Sequence, residues 1–228
     1  MTIHLNVREI VGGNSRPQFA APEFKRAPIA ELFDMMGAAL SFGRNQEVYG
    51  EGEPAEYLYV VKSGCVRTSK SLNDGRRQIG AFYLPGDVFG LEAGEEHSFS
   101  AEALSTTTVR IVKRAALTSR IAGDAAMASH LLKLTTDELQ RTQARILLLI
   151  KSAQERIAGF LLEMAKRSRA VNEIELPMCR QDIADYLGLT IETVSRTLTQ
   201  LENSRAIELS TSRRIVLRNR PALARLNS

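Results

Sequence analysis

Residues 177–202 read Pro-Met-Cys-Arg-Gln-Asp-Ile-Ala-Asp-Tyr-Leu-Gly-Leu-Thr-Ile-Glu-Thr-Val-Ser-Arg-Thr-Leu-Thr-Gln-Leu-Glu, and no other stretch constrains the fold as tightly. Ala184 stands four residues before Gly188 and ten before Val194. A small residue there lets two helices cross closely, and a glycine can take the left-handed backbone of a tight turn. Ile183, Leu187, Val194, Leu198 and Leu201 repeat at helical spacing and supply one shared apolar core. Thr190 is the expected N-cap of the second helix. The pattern is that of a helix-turn-helix. Its second helix presents Ile191, Glu192, Ser195 and Arg196 outward at its start, the face expected in a DNA major groove.

The chemistry of that face suits base reading. Arg196 can donate two hydrogen bonds to guanine O6 and N7, and Glu192 can accept from a cytosine amino group. Each such contact discriminates by about 1–3 kcal/mol. The competing reading is a plain surface ion pair, because Glu192 and Arg196 are four residues apart on a helix. Downstream, Ala206-Ile207-Glu208-Leu209 and Arg214-Ile215-Val216-Leu217 flank Ser210-Thr211-Ser212-Arg213 as a β-hairpin wing. Arg213 and Arg214 at its tip are either phosphate contacts or part of a solvated turn.

Upstream the chain changes character twice. Residues 29–123 read as β: Tyr57–Lys62, Cys65–Ser69, Arg77–Leu84 and Thr106–Val112 are strand candidates. Asn73-Asp74-Gly75 is a hairpin turn, and glycines and prolines recur at short intervals. This predicts a β-sandwich or roll. Residues 124–160 are expected to form one long helix. Leu132, Leu139, Ile146, Ala153 and Phe160 fall seven residues apart there and suit a parallel helix–helix seam. Thr135, Thr136, Thr142 and Gln143 interrupt its second apolar row, so an amphipathic helix packed on its own domain is the competing reading. Residues 1–28 read as a loose arm and 161–228 as the winged helix-turn-helix domain. The fold class is therefore α+β.

Composition excludes several classes. Two cysteines in 228 residues, Cys65 and Cys179, cannot build a disulfide framework or a four-cysteine zinc or iron–sulfur site. No apolar run reaches the roughly 20 residues of a transmembrane helix, and the first residues lack the pattern of a secretory signal. A cytoplasmic protein is the expectation. The formal net charge of +4 leans only weakly toward a polyanion partner.

The order β-roll, long helix, winged helix-turn-helix resembles the Crp/Fnr superfamily of bacterial transcription regulators over about residues 29–220. Glu192-Thr193-Val194-Ser195-Arg196, Leu84-Pro85-Gly86-Asp87-Val88-Phe89-Gly90 and Lys62-Ser63-Gly64-Cys65-Val66-Arg67 carry the resemblance. The Glu-x-x-Ser-Arg form looks like the Fnr branch, which reads TTGAT-type half-sites. The whole chain looks most like the FixK regulators of microaerobic and nitrogen-fixation genes. The resemblance implies a cyclic-nucleotide-binding-like jelly roll, a homodimer on an inverted-repeat operator of double-stranded DNA, and activation through RNA polymerase. It makes Glu192, Ser195 and Arg196 base readers, with Gln181, Thr190 and Thr193 on the DNA backbone; Arg180 is expected there as well.

The departures from the family are as informative. Cyclic-nucleotide members carry a Gly-Glu pair and an Arg-Ser/Thr pair after the Pro-Gly-Asp segment. Here His97 stands where that Arg is expected, among Glu92, Glu95 and Glu96, which would repel a phosphate. Residues 1–64 contain no cysteine for an Fnr-type cluster. His4, His97 and His130 are the available haem ligands, and a cupin-like enzyme would need a His/Glu metal cluster that the sequence lacks. The reading is thus a non-enzymatic regulator with no cofactor. A ligand-gated regulator of the same fold is the alternative, and an enzyme or pure interaction module whose basic C-terminal domain is structural is the second. Cys179 stands at the first helix's N-cap, where family members often carry Thr or Ser. The helix N-terminus and adjacent Arg180 both attract a negatively charged sulfur, which marks Cys179 as a candidate redox site. Cys65, within a strand, reads as packing.

Overall fold

The computed structural model describes residues 33–168 and 172–227. The arm expected over residues 1–28 lies outside the described residues. Eight strands build the first domain: β1 (Ala38–Phe42), β2 (Glu47–Tyr49), β3 (Tyr57–Ser63), β4 (Val66–Ser71), β5 (Arg77–Tyr83), β6 (Val88–Phe89), β7 (Ser100–Ala103) and β8 (Thr107–Lys113). They form two antiparallel sheets, β1-β8-β3-β6 and β2-β7-β4-β5, which face each other as a jelly roll. Tyr49, Tyr59, Val61, Val66, Phe89, Ala101 and Val109 fill the space between them. The β4–β5 hairpin closes at Asn73-Asp74-Gly75, with Gly75 at φ +83°.

Six helices follow the roll: α1 (Arg114–Ile121), α2 (Ala125–Leu149), α3 (Ala153–Arg167), α4 (Arg180–Leu187), α5 (Ile191–Asn203) and α6 (Arg220–Leu226). Strands β9 (Glu173–Glu175), β10 (Ile207–Leu209) and β11 (Arg214–Leu217) make a small sheet ordered β10-β11-β9. The wing hairpin is β10–β11. Its third strand, β9, lies in the short alternating stretch Glu173-Ile174-Glu175-Leu176, which the sequence reading did not single out, and pairs Ile174 with Ile215.

The single helix expected over 124–160 is two helices, and this corrects the sequence reading. Helix α2 stops at Leu149, and Ser152 starts α3 with a capping box. The Ser152 hydroxyl accepts from the Glu155 N–H, while the Glu155 carboxylate accepts from the Ser152 N–H at 2.8 Å. Ser152-Ala153-Gln154-Glu155 is the sequence signal for that break. Ala153 therefore opens α3 and cannot extend the α2 seam. Phe160 is buried in the core of the C-terminal domain, so the seven-residue row on α2 ends at Ile146.

Within α2, Leu132, Leu139 and Ile146 are 68%, 56% and 55% exposed. They leave an apolar stripe uncovered along a helix whose start, at Met127, is packed on the roll with Leu117 and Phe33. Thr135 and Thr136 return their hydroxyls to the carbonyls of Leu131 and Leu132. Two β-branched polar residues thus sit in this helix with their hydroxyls satisfied.

One buried polar group in the roll has a measurable consequence. The His97 ring stacks on Tyr49 at a centroid distance of 3.5 Å and is buried. Burial holds its imidazole below the ordinary range, against the opposing pull of the Glu92 carboxylate 3.6 Å away. The folded state then binds fewer protons than the unfolded chain, so stability falls as pH drops below the unfolded value of about 6.5. The melting temperature is expected to be lower at pH 5.5 than at pH 7.5, and His97→Phe is expected to shrink that difference, both read by circular dichroism.

Candidate nucleic-acid interface

Helices α4 and α5 cross over the core that the apolar spacing implies. Ile183, Ala184, Leu187, Val194, Leu198 and Leu201 are all buried. Gly188 closes α4 in the left-handed conformation, at φ +63° and ψ +43°. The Thr190 side chain caps α5 by accepting from the Thr193 N–H at 3.2 Å, and the two hydroxyls lie 3.1 Å apart. The first turn of α5 is thereby fixed and presented outward.

On the first two turns Ile191, Glu192 and Arg196 are exposed, and Ser195 is half-buried. The Glu192 backbone amide and the Thr190 hydroxyl hold the Glu192 carboxyl below the usual carboxylate range, so it is ionised at neutral pH. Among the described residues the guanidinium of Arg196 bonds only the Thr193 hydroxyl, at 3.4 Å. Among the described residues no ion pair joins Glu192 to Arg196. The surface-ion-pair reading therefore does not describe this structure, and both side chains keep donors and acceptors for another molecule.

The flanking residues divide between free and engaged. Arg180, at the start of α4, donates from Nη1 to the Ser195 hydroxyl at 3.2 Å and ties the two helices together at the exposed face. Gln181 donates to Asp185 Oδ1 at 2.6 Å. In the wing, Arg214 pairs with Glu173 at 3.0 Å. Arg213 makes no side-chain ion pair among the described residues, so of the two arginines it is the one available to a phosphate.

Cys179 is exposed at the N-cap of α4, and Cys65 is buried. Burial pushes the Cys65 thiol far above its ordinary range. The Cys179 N–H donates to Asp182 Oδ2 at 3.2 Å, and its thiol sulfur lies 3.2 Å from the same oxygen. The sulfur's charged neighbour is thus the Asp182 carboxylate. Arg180, expected beside it, turns to Ser195 instead.

The roll holds a cavity of about 300 Å³ lined by Tyr49, Tyr83, Phe89, Glu92, Glu138 and Arg145, among others. Its loop is closed on itself: the Ser98 N–H and hydroxyl both donate to the Glu92 carboxylate, at 3.2 and 2.9 Å. Arg114 ties the same loop down through the carbonyls of Glu92 and Gly94.

Comparison with known proteins places this arrangement. Residues 155–226 match a Crp-like helix-turn-helix domain, and residues 39–124 match a cyclic nucleotide-binding domain. The chain is 52% identical over 205 residues to the nitrogen fixation regulation protein FixK of Azorhizobium caulinodans, covering 87% of this chain and 83% of that one. The chain belongs to the FixK regulators of the Crp/Fnr superfamily. FixK of Rhizobium meliloti is 42% identical over 79% of this chain and 83% of its own length. The structure of FixK2 from Bradyrhizobium japonicum superposes with a TM-score of 0.81 at 50% identity, covering 85% of this chain and 98% of that chain. The α+β architecture of jelly roll, long helix and C-terminal helix-turn-helix is that of these transcription regulators. No described helix is long and apolar enough to cross a membrane.

The Gly188 turn gives a direct test of the interface scaffold. A Cβ there would meet Arg156 and Leu149 only at an ordinary 3.6 Å, so the cost of a side chain is conformational. Gly188→Ala is expected to lose about 1–2 kcal/mol of stability. Gly188→Asn, whose side chain tolerates the left-handed region, should lose less. Denaturant titrations of the two variants measure the order.

Proposed function

We propose that the chain is a homodimeric, sequence-specific DNA-binding regulator, chiefly an activator. On this reading the uncovered stripe of Leu132, Leu139 and Ile146 pairs with the same stripe of a second copy, burying side chains worth about 1.5–3 kcal/mol each. Each α5 enters one major groove of an inverted repeat whose half-sites lie about one helical turn, roughly 34 Å, apart. Glu192, Ser195 and Arg196, with Ile191 beside them, read a TTGAT-type half-site. Arg180, Gln181, Thr190 and Thr193 meet the DNA backbone. The bound dimer then recruits RNA polymerase through the roll, and the FixK relatives point to nitrogen-fixation genes as targets.

One observation carries this reading: Glu192 and Arg196 stand exposed on the first two turns of the capped helix α5 without an ion pair to each other. Arg196→Ala should cost about 1–3 kcal/mol of discrimination per half-site, with non-specific affinity little changed. Fluorescence anisotropy with cognate and scrambled duplexes measures both quantities. Undiminished discrimination overturns the base-reading role.

Two finer features belong to the same proposal. The regulator works without an effector in the roll, a reading supported by the internal Glu92–Ser98 closure and by the carboxylates of Glu92 and Glu138 lining the cavity. Oxidation of Cys179 by peroxide to a sulfinic or sulfonic acid weakens operator binding. A new anion then stands beside the Asp182 carboxylate on the face turned to phosphate. After peroxide treatment the wild type should lose operator affinity and Cys179→Ala should keep it. Equal losses overturn the redox role.

A further inference from the structure

We infer that Arg67 and Arg77 of the β-roll are positioning residues for DNA recognition: they clamp α4 through Asp182 and Asp185 and so fix the orientation of the reading helix. The inference rests on α5 being the DNA-reading element.

The clamp is a closed set of charged groups drawn from both domains. Arg67 donates from Nη1 to Asp182 Oδ1 at 2.5 Å and from Nη2 to Glu102 Oε2 at 2.8 Å, which anchors the guanidinium on strand β7. Arg77 donates from Nη2 to the same Asp182 oxygen at 2.8 Å and from Nε to Asp185 Oδ2 at 2.8 Å. Gln78 adds a bond from its side-chain amide to the Asp185 carbonyl at 2.8 Å. The Asp182 side chain is 3% exposed and that of Arg67 10%. Charges this deeply buried are held only by accurate mutual geometry.

The apolar part of the contact cannot set an angle by itself. Ile79, Phe82 and Leu84 of the roll share one core with Phe160 and Tyr186, and Phe82 meets Tyr186 at a centroid distance of 5.1 Å. Such packing attracts without strong direction. The hydrogen-bonded guanidinium–carboxylate pairs impose direction. They are needed because the covalent joint between the domains is the helix break at 150–152, where the backbone leaves the α2 ladder.

The clamp also ends on the DNA-facing surface. Asp185 accepts from Arg77 on one oxygen and from Gln181 on the other. Asp182 accepts from Arg67 and Arg77 on one oxygen and from the Cys179 N–H on the other. Two short relays thus run from the roll to residues at the start of α4. Arg67 and Arg77 need not touch DNA to govern it.

The test uses the full chain as wild type, Arg77→Ala and Arg77→Lys. Three properties are read: mass in solution, affinity for cognate and scrambled duplexes, and relative domain orientation in the free protein from residual dipolar couplings. Arg77→Ala is expected to keep the wild-type mass and scrambled-DNA affinity and to lose about tenfold or more in cognate affinity. Its couplings should no longer fit the wild-type orientation. Arg77→Lys should fall between, because a single ammonium cannot serve both carboxylates in the fork geometry of Arg. Wild-type cognate affinity in Arg77→Ala overturns the inference, and so does a loss of affinity with orientation unchanged. Should Arg77→Ala fail to fold, Asp185→Asn is read by the same measurements and the same outcomes decide. A wild type that does not prefer cognate over scrambled DNA would overturn the DNA-reading function instead, and the couplings still judge the clamp.

Discussion

The buried carboxylate of Asp182 joins the two domains through two arginines of the roll, and the proposed orientation of α4 rests on it. It lies at the third position of α4, where it accepts the free N–H of Cys179, and it faces the roll, where Arg67 and Arg77 meet it. An ionised carboxylate removed from water is tolerated only when such donors surround it. The residue that caps the first helix of the DNA-binding domain is therefore also the residue that docks this domain. Helix start and one of the docking contacts thus meet on a single group, beside the shared core that holds Phe82 and Tyr186.

The basic residues behind the net charge of +4 are in part engaged inside the molecule. Many arginines serve internal bonds. Arg145 donates to the carbonyls of Ile79 and Gly80, and Arg167 to Phe82 and Asp87. Arg156 joins the end of α2 to the Leu187 carbonyl at the helix-turn-helix turn. These guanidiniums tie α2 and α3 to the roll and, through Arg156, to the end of α4. They do not form a broad cationic surface. What α5 offers outward is a small set of unpaired groups including the acidic Glu192, which suits selective reading better than indiscriminate attraction to phosphate.

The helix-turn-helix was legible because its signals are local. Gly188 after Ala184, Thr190 at the cap and the apolar row from Ile183 to Leu201 all act within a few turns of helix. The roll was legible for a similar reason, through strand composition and the Asn73-Asp74-Gly75 turn. The break at 150–152 was written in Ser152 and Glu155, yet the seven-residue row through Ala153 and Phe160 masked it. Those two positions keep the period although they belong to another helix with another core. Strand β9 is a short alternating stretch paired with β11. The clamp was invisible for the deepest reason: Arg67 and Asp182 are 115 residues apart, and nothing in either neighbourhood predicts the other.

The roll then takes on a different meaning from the one its domain type suggests. A sensor that gates DNA binding must couple ligand occupancy to two arrangements of the domains. Here the loop that would answer a cyclic phosphate bonds its own Ser98 to Glu92, and Arg114 holds it by the carbonyls of Glu92 and Gly94. Strands β4 and β5 hold α4 through the Arg67 and Arg77 ion pairs with Asp182. On the proposed effector-independent reading, a β-roll held at both places serves as a scaffold against which the recognition helix is oriented.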